Sequence, residues 1–476
     1  MDLFFLMFYL FNIFIFLYVI LVDAFYLLFF HLSLKQMSVY MKRLPIHDEE
    51  EMASSALTPP VSVIVPAYNE EKVIVENIQS LFHLNYPEYE IIVVNDGSTD
   101  DTLQVLIEHF DLFPVREVIR QQIPTETVIN VYRSIHHPHL IVVDKENGGK
   151  SDALNAGINI SNYPYFCGID ADSILEPESL IKTMWPIIEG AENVIACGGI
   201  VRIANGCKIE NGHVVEVRLP KNKLALFQVV EYLRSFLMGR LGLSAMNSLL
   251  IISGAFGVFR KREVIEVGGY STNNIGEDME LVVRLQKYLF DEKVDAKILF
   301  LPQPICWTEA PNNLKVLYQQ RTRWHIGLLQ TLLKHKKLMF NPKYKSMGLI
   351  VMPYFLLVEL LGPTIELVGT IFIIAGLYFD IVNIPFAIMF FLLTLVFGVF
   401  LSICAVFLEE YNFRRYPRIR DLLTLSLFSV IENFGYRQLN AIWRTIAFFR
   451  YLTNKVSWGN MTRTGISKEN KKTMNM

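Results

Sequence analysis

Asp170 and Asp172 follow the apolar run Tyr165-Phe166-Cys167-Gly168-Ile169. Two hard oxygen ligands, two residues apart at the end of a strand, can hold a divalent cation whose remaining octahedral positions go to diphosphate oxygens and water. Such a pair also arises by chance, so its weight depends on its surroundings. Upstream, Lys145-Glu-Asn-Gly-Gly-Lys150 sets two glycines before a lysine and a helical pattern. The glycines allow close backbone approach, and Lys150 can reach a phosphate as a point charge. This is not a phosphate-binding Walker loop, which requires glycine where this chain has Asp144.

Other polar clusters end apolar runs in the same way. Val61-Ser-Val-Ile-Val-Pro66-Ala-Tyr68-Asn-Glu70 reads as a strand that turns into a helix near Glu70. Glu90-Ile-Ile-Val-Val-Asn-Asp96 ends in Asp96-Gly97-Ser98, with Ser98 to Asp101 able to cap the following helix. Asp96 has two readings. In one its carboxylate faces a crevice and accepts hydrogen bonds from a uracil ring or ribose; in the other it only forms an Asx turn.

Two later clusters complete the set. A small-residue loop, Ser253-Gly-Ala-Phe-Gly257, precedes Glu277-Asp278 at the start of a helical pattern. Asp278 can serve as a base for a sugar hydroxyl, or the pair can answer the helix dipole. Finally Gln319-Gln320-Arg321-Thr322-Arg323-Trp324 lies on a helical pattern before a long apolar region. There an arginine can pair with diphosphate and an indole can stack on a sugar; a basic, aromatic interfacial helix is the plainer alternative.

The elements that must position these residues follow from the same runs. Continuous Val/Ile segments alternating with helical stretches over 61–310 indicate buried strands of a mostly parallel sheet in an α/β domain, with ligands at the strands' carboxyl ends. The chain is 52% hydrophobic with a mean hydropathy of +0.32, so part of it belongs in a bilayer. Residues 3–31 exceed the roughly 20 residues of a spanning helix, lack the features of a cleaved signal peptide, and put a retained helix at 1–33. Lys35, Lys42 and Arg43 follow it, so the positive-inside rule assigns the next domain to the cytosol. Residues 34–60, with Asp48 to Glu51 acidic, suit a linker. Residues 311–345 read as interfacial helices, and 346–408 as a membrane region of about two helices. Its first part is taken as one span kinked at Pro363, which keeps Arg414, Arg415, Arg418 and Arg420 cytosolic. Within 409–476, residues 421–451 carry Glu432, Arg437, Arg444 and Arg450 and suit an interfacial or re-entrant segment.

The net charge of −3 excludes a basic field for nucleic acid. Five cysteines without CxxC spacing exclude a zinc or disulfide framework. A hydrolase needs no metal–diphosphate site, and a non-catalytic scaffold needs no interdependent motifs.

In this order and spacing the six motifs resemble the processive family 2 glycosyltransferases, inverting synthases of cellulose, chitin, hyaluronan and poly-N-acetylglucosamine. The resemblance covers residues 61–326. It implies a plasma-membrane, multi-pass enzyme that passes sugar from a nucleotide-sugar donor, UDP-N-acetylglucosamine or UDP-glucose, to a growing polysaccharide, using Mg2+ or Mn2+. It places Pro66, Tyr68, Glu70, Asp96, Lys150 and Asp170 on the donor side, and Asp170 with Asp172 at the metal. It makes Asp278 the base, and sets Glu277 and the QxxRW residues Gln320, Arg323 and Trp324 at the diphosphate and acceptor end. Export or accessory subunits are possible partners. The alternative is a single-transfer enzyme acting on a lipid carrier, which would not need QxxRW. Three features depart from the larger synthases: fewer membrane helices, a long segment at 111–140 without an assigned role, and no expected C-terminal cyclic-dinucleotide domain.

Overall fold

A computed structural model describes residues 3–43, 49–190, 193–210, 212–379, 381–413, 415–416 and 418–453. Asp48 of the expected linker, Arg414 of the basic loop and residues 454–476 lie outside them. The described residues divide into two compact units: Val39–Lys221 with Asn247–Ala310, and residues 3–38 with Asn222–Met246 and 311–453. Asn222–Met246, though inside the 61–310 stretch, groups with the apolar helices.

The first unit is an α/β domain built on strands β1 (Val61–Ala67), β2 (Tyr89–Asp96), β3 (Leu112–Val115), β4 (Val128–Ser134), β5 (Leu140–Lys145), β6 (Tyr165–Ile169), β7 (Ile174–Leu175), β8 (Val194–Ile203), β9 (Lys208–Glu210), β10 (His213–Glu216), β11 (Phe256–Arg260) and β12 (Lys297–Thr308). Ten of them form one sheet in the order β3-β4-β5-β2-β1-β6-β11-β8-β12-β7; β9 and β10 pair separately. β5, β2, β1 and β6 run parallel, as their uninterrupted apolar sequences require for strands covered on both faces. β4 and β11 join this block antiparallel. The sheet is therefore mixed, with its parallel centre carrying the polar motifs. Pro66 is tolerated in central β1 because pairing with β6 stops at Ile64.

Segment 111–140 supplies the antiparallel edge pair β3–β4 and a loop whose Ile123 is buried (1% exposed). Asn159 holds that loop by accepting from the Gln122 and Ile123 amides at 3.0 Å.

The first helix runs over Leu3–Arg43, past the boundary expected at 33. Its last turns continue because Tyr40 is buried at 7% exposure against Trp185, the ring centroids 5.6 Å apart.

Among the described residues two helices are long and apolar enough to cross a membrane, Leu6–Arg43 and Ala387–Phe413. A third candidate is the pair Met347–Leu360 and Gly362–Tyr378, bent by 46°. The bend falls at the Gly362-Pro363 step, where proline cannot donate to the preceding turn. Residues 421–451 fold into the helices Ile419–Ile431 and Tyr436–Leu452. Three of the charges expected there are paired, Glu432 with Arg234, Arg437 with Glu366 at 3.2 Å and Arg444 with Glu359 at 3.4 Å, and Arg450 lies over the Tyr318 ring, 5.7 Å from its centroid.

Candidate active site

The first four polar motifs follow the carboxyl ends of the parallel strands β1, β2, β5 and β6. The turn after β1 is stitched to the turn after β2. Asn69, at φ +57°, donates from its amide to Ser98 Oγ at 3.0 Å and accepts from the Thr99 amide at 2.8 Å. The Glu70 amide donates to Thr102 Oγ1 at 2.9 Å. These crossings delay the next helix to Ile74–Leu81 rather than Glu70. They also divert Ser98 and Thr99 from the expected capping role: Asp100 accepts from the Thr102 amide at 3.0 Å, while Asp101, at the cap position, makes no side-chain cap bond. Tyr68 projects from this turn, 49% exposed.

Asp96 does not face an open crevice. It is 3% exposed, and its carboxylate accepts from Lys145 Nζ at 2.7 Å, the Gly148 amide at 3.0 Å and the Gly149 amide at 2.7 Å. Lys145, fully buried, also meets Asp152 Oδ1 at 2.7 Å. Burial opposes the ammonium, but the two carboxylates outweigh it and raise its pKa. The sequence hid this arrangement because Lys145 reads as the last residue of a strand, and only the register that pairs Asp96 with Lys145 brings them together. Both glycines are required in the loop this hub holds. Gly149 sits at φ +87°, and a Cβ at Gly148 would lie 2.6 Å from the Asp152 carboxyl.

That loop delivers Lys150 to the first position of the Lys150–Ile160 helix. Its Nζ lies 2.5 Å from Asp170 Oδ1, just beyond β6, and 3.4 Å from Glu277 Oε1. A Cβ on Gly254 would stand 2.9 Å from the same nitrogen, so the small-residue loop before β11 is small to admit it. Glu277 and Asp278 are the first two residues of the Glu277–Asp291 helix, whose cap position is Gly276. Asp278 is therefore not the cap. Its Oδ2 accepts from the Gly254 amide at 3.2 Å and its Oδ1 from the Met279 amide at 2.7 Å. Lys150, Gly254, Glu277 and Asp278 thus line one narrow cleft.

Tyr270 lines the same cleft and was not singled out by the sequence. Gly268 and Gly269, at φ +86° and +71°, turn the chain to bring it in, and Asn155 grips its backbone through bonds of 2.7 and 2.9 Å. Burial, reinforced by Glu277 and Asp278, holds the phenol pKa well above its ordinary value, so the hydroxyl keeps its proton and can donate it in a hydrogen bond. The paired glycines before an aromatic residue were the available signal.

Among the described residues no group of three or more His, Cys, Asp or Glu side chains converges as a protein-only metal cage. The donor set at Asp170 and Asp172 nevertheless fits a hard cation that keeps phosphate and water ligands, and the ammonium held by Asp170 marks the spot as one that attracts positive charge.

Gln320, Arg323 and Trp324 lie on the Leu314–Lys334 helix of the other unit. Gln320 Oε1 is buried without a hydrogen-bond partner, and Trp324 is 43% exposed. Their neighbour Arg321, not singled out in the sequence, is locked bidentately to Glu231 at 2.6 and 2.7 Å and lies 4.8 Å from the Trp324 ring centroid.

A family profile described as "Glycosyltransferase like family 2" matches residues 59–327. A poly-beta-1,6-N-acetyl-D-glucosamine synthase of Staphylococcus epidermidis is 27% identical over 274 residues, 58% of this chain and 56% of the relative. The same-named protein of Staphylococcus aureus strain COL is 26% identical over 278 residues, again 58% and 56%. The match therefore spans little more than half the length of these relatives. Among solved structures, the mannosyltransferase PcManGT from Pyrobaculum calidifontis, in complex with GDP-Man and Mn2+, aligns over 91% of this chain and 99% of its own at 14% identity and a TM-score of 0.48.

Proposed function

This chain belongs to glycosyltransferase family 2, and from that premise we propose that it is a membrane-bound inverting synthase that extends a polysaccharide from a UDP-sugar, with UDP-N-acetylglucosamine as the donor. The observation that carries the reading is the convergence of Lys150, Glu277 and Asp278 in one cleft, with Asp170 paired to Lys150. The choice of donor sugar rests on the likeness to poly-beta-1,6-N-acetyl-D-glucosamine synthases.

Inversion needs a held acceptor hydroxyl, a base and relief of the charge on the departing nucleoside diphosphate. Asp278 takes the proton of the acceptor hydroxyl as that oxygen bonds to the anomeric carbon. The bond from that carbon to the diphosphate breaks on the opposite face, and its electron pair leaves with the phosphate oxygen. Hydrogen bonds from Gly254 and Met279 aim the Asp278 carboxylate. Lys150 is the fixed positive charge for the diphosphate. Asp170 and Asp172 would hold Mg2+ or Mn2+, which supplies further charge relief when bound. Asp96 serves the donor by holding the Gly148-Gly149 loop, Pro66 and Glu70 by shaping the turn that carries Tyr68, and Tyr68 by stacking. Glu277 keeps Lys150 in place. Gln320, Arg323 and Trp324 belong to the diphosphate and to the acceptor end of the chain.

The catalytic unit faces the cytosol in this reading, on the basic flank that follows the first helix. Residues 61–310 should then resist protease in sealed right-side-out vesicles, and ready digestion would overturn the orientation. The decisive activity test is incubation of membranes with a panel of labelled nucleotide sugars, followed by digestion of the product with linkage-specific hydrolases. A long, hydrolase-sensitive polymer from UDP-N-acetylglucosamine is expected. A single sugar on a lipid would support the lipid-carrier alternative, and no transfer from any donor would end the enzymatic reading.

A further inference from the structure

The stretch between Glu309 and Glu359 contains no acidic residue. Within it, after the Leu314–Lys334 helix, the chain makes two single turns, Lys336–Leu338 and Pro342–Tyr344, before the apolar segment opens at Met347. Apolar residues of these turns point in: Leu338 is 1% exposed and Tyr344 6%. The lysines point out, and Lys334, Lys336, Lys337, Lys343 and Lys345 are all exposed.

This is a rigid knuckle rather than a loose basic tail. The Phe340 amide donates to the Gly348 carbonyl at 2.9 Å, tying the turns to the beginning of the apolar segment. A Cβ at Gly348 would lie 2.3 Å from the Asn341 carbonyl oxygen, so only glycine permits the approach. Phe340 and Lys345 both adopt left-handed backbone, at φ +55° and +47°. For a bulky aromatic that conformation is costly, yet it leaves Phe340 62% exposed, between Lys337 and Lys343 along the chain. An aromatic ring held outward among lysines beside apolar helices has the composition of a bilayer interface anchor.

We propose that residues 334–345 form a docking surface for anionic phospholipid headgroups of the surrounding bilayer, with the lysines at the phosphates and Phe340 inserted at the headgroup boundary. The proposal rests on the membrane reading of the apolar helices and not on the sugar-transfer reading. Five lysines at one surface suffice for a preference that salt weakens, since each basic residue near an anionic leaflet strengthens binding appreciably.

The test uses the full chain in nanodiscs of phosphatidylcholine carrying either spin-labelled phosphatidylglycerol or spin-labelled phosphatidylcholine. Wild type should favour the anionic lipid by at least about fivefold at low salt. The variant Lys336→Gln, Lys337→Gln, Lys343→Gln, Lys345→Gln should approach equal association with both lipids, while arginine at the same four positions should keep the preference. Phe340→Trp should add fluorescence that shallow brominated lipids quench. An unchanged preference in the glutamine variant overturns the proposal. So does loss of the wild-type preference in millimolar inorganic phosphate, which would identify a pocket for a free anion. An added tryptophan that the lipids do not quench removes Phe340 from the surface. Neither readout requires sugar transfer, so an inactive preparation leaves the test intact.

Discussion

Lys150 Nζ stands 2.5 Å from Asp170 Oδ1, so the cation proposed for the donor phosphates is already paired with a carboxylate of the proposed metal site. Burial pushes the ammonium pKa down, but Asp170 and Glu277 outweigh it and hold the group above the ordinary lysine value. Because the folded-state pKa is raised, the pair's stabilisation is complete below the ordinary value and is lost only as pH climbs through the raised one. Lys150 therefore should contribute no alkaline limb to the rate profile below about pH 10. Lys150→Gln should raise the donor KM and lower transfer at every pH, and Lys150→Arg should restore part of the donor affinity. A lysine-type loss of wild-type activity near pH 8, absent from the glutamine variant, would contradict this assignment.

Lys145 is a separate case, because its two carboxylate partners are buried with it. Removing the ammonium strands Asp96 at 3% and Asp152 at 5% exposure without a counter-charge. Breaking a buried pair from one side typically costs about 3–5 kcal/mol. Lys145→Met should therefore destabilise the fold by about that amount, as read from denaturant midpoints. The triple change Lys145→Met, Asp96→Asn, Asp152→Asn should recover part of the loss. A Lys145→Met single variant as stable as wild type would mean that the hub is not closed in solution.

The contrast between these two lysines marks what the sequence could disclose. Lys150 was legible because two glycines and a helical pattern surround it. Lys145 was not, because its partners Asp96 and Asp152 are 49 residues before it and seven after it, and only parallel register aligns them. The central strands were legible as apolar runs. The antiparallel membership of β4 and β11 was not, since strand direction depends on connections that residue type does not encode. Likewise Glu277-Asp278 announced a helix start, whereas Tyr270 reached the cleft through a glycine turn whose aim is set by Asn155, 115 residues away. Glu231, the partner that fixes Arg321 beside Trp324, lies 90 residues upstream and carried no signal of its own.

Acidification should weaken the α/β unit through His213. Burial first, and the facing His83 ring at 5.5 Å second, lower its pKa, while the Leu175 backbone and Glu178 oppose them. A histidine with a lowered folded-state pKa makes no difference above the ordinary value, where both states are neutral. Below it the unfolded chain takes the proton first, and stability falls. The thermal midpoint should thus drop between about pH 7 and pH 5, and His213→Gln should drop less. Identical drops would clear His213 of the effect.

The two aspartates after β6 differ in what a neutral substitution should remove. Asp170 also pairs with Lys150, so Asp170→Asn should disturb donor affinity as well as any metal response. Asp172→Asn should leave the fold intact, as judged by an unchanged melting profile, while transfer falls and the Mg2+ or Mn2+ concentration for half-maximal rate rises. Full wild-type activity in excess chelator would take the divalent ion out of the reaction.

Asp278→Asn separates the base from a purely structural carboxylate. Asparagine keeps an oxygen that can accept from the Gly254 amide, so the loop-to-helix contact at 3.2 Å has a substitute. It also lies beyond the cap position, so the helix start at Gly276 is not at stake. A structural role therefore predicts nearly normal turnover. The base role predicts a fall of at least about a hundredfold in transfer with donor KM largely unchanged, because a general base contributes about 10²–10⁴ to the rate. The fall should also be specific to kcat, since proton removal is made only in the transition state. If Asp278→Asn keeps more than about a tenth of the wild-type rate, a deficit below the range of a general base, the proton must go elsewhere. Glu277, on the same helical turn and 3.4 Å from Lys150, is then the next residue to replace.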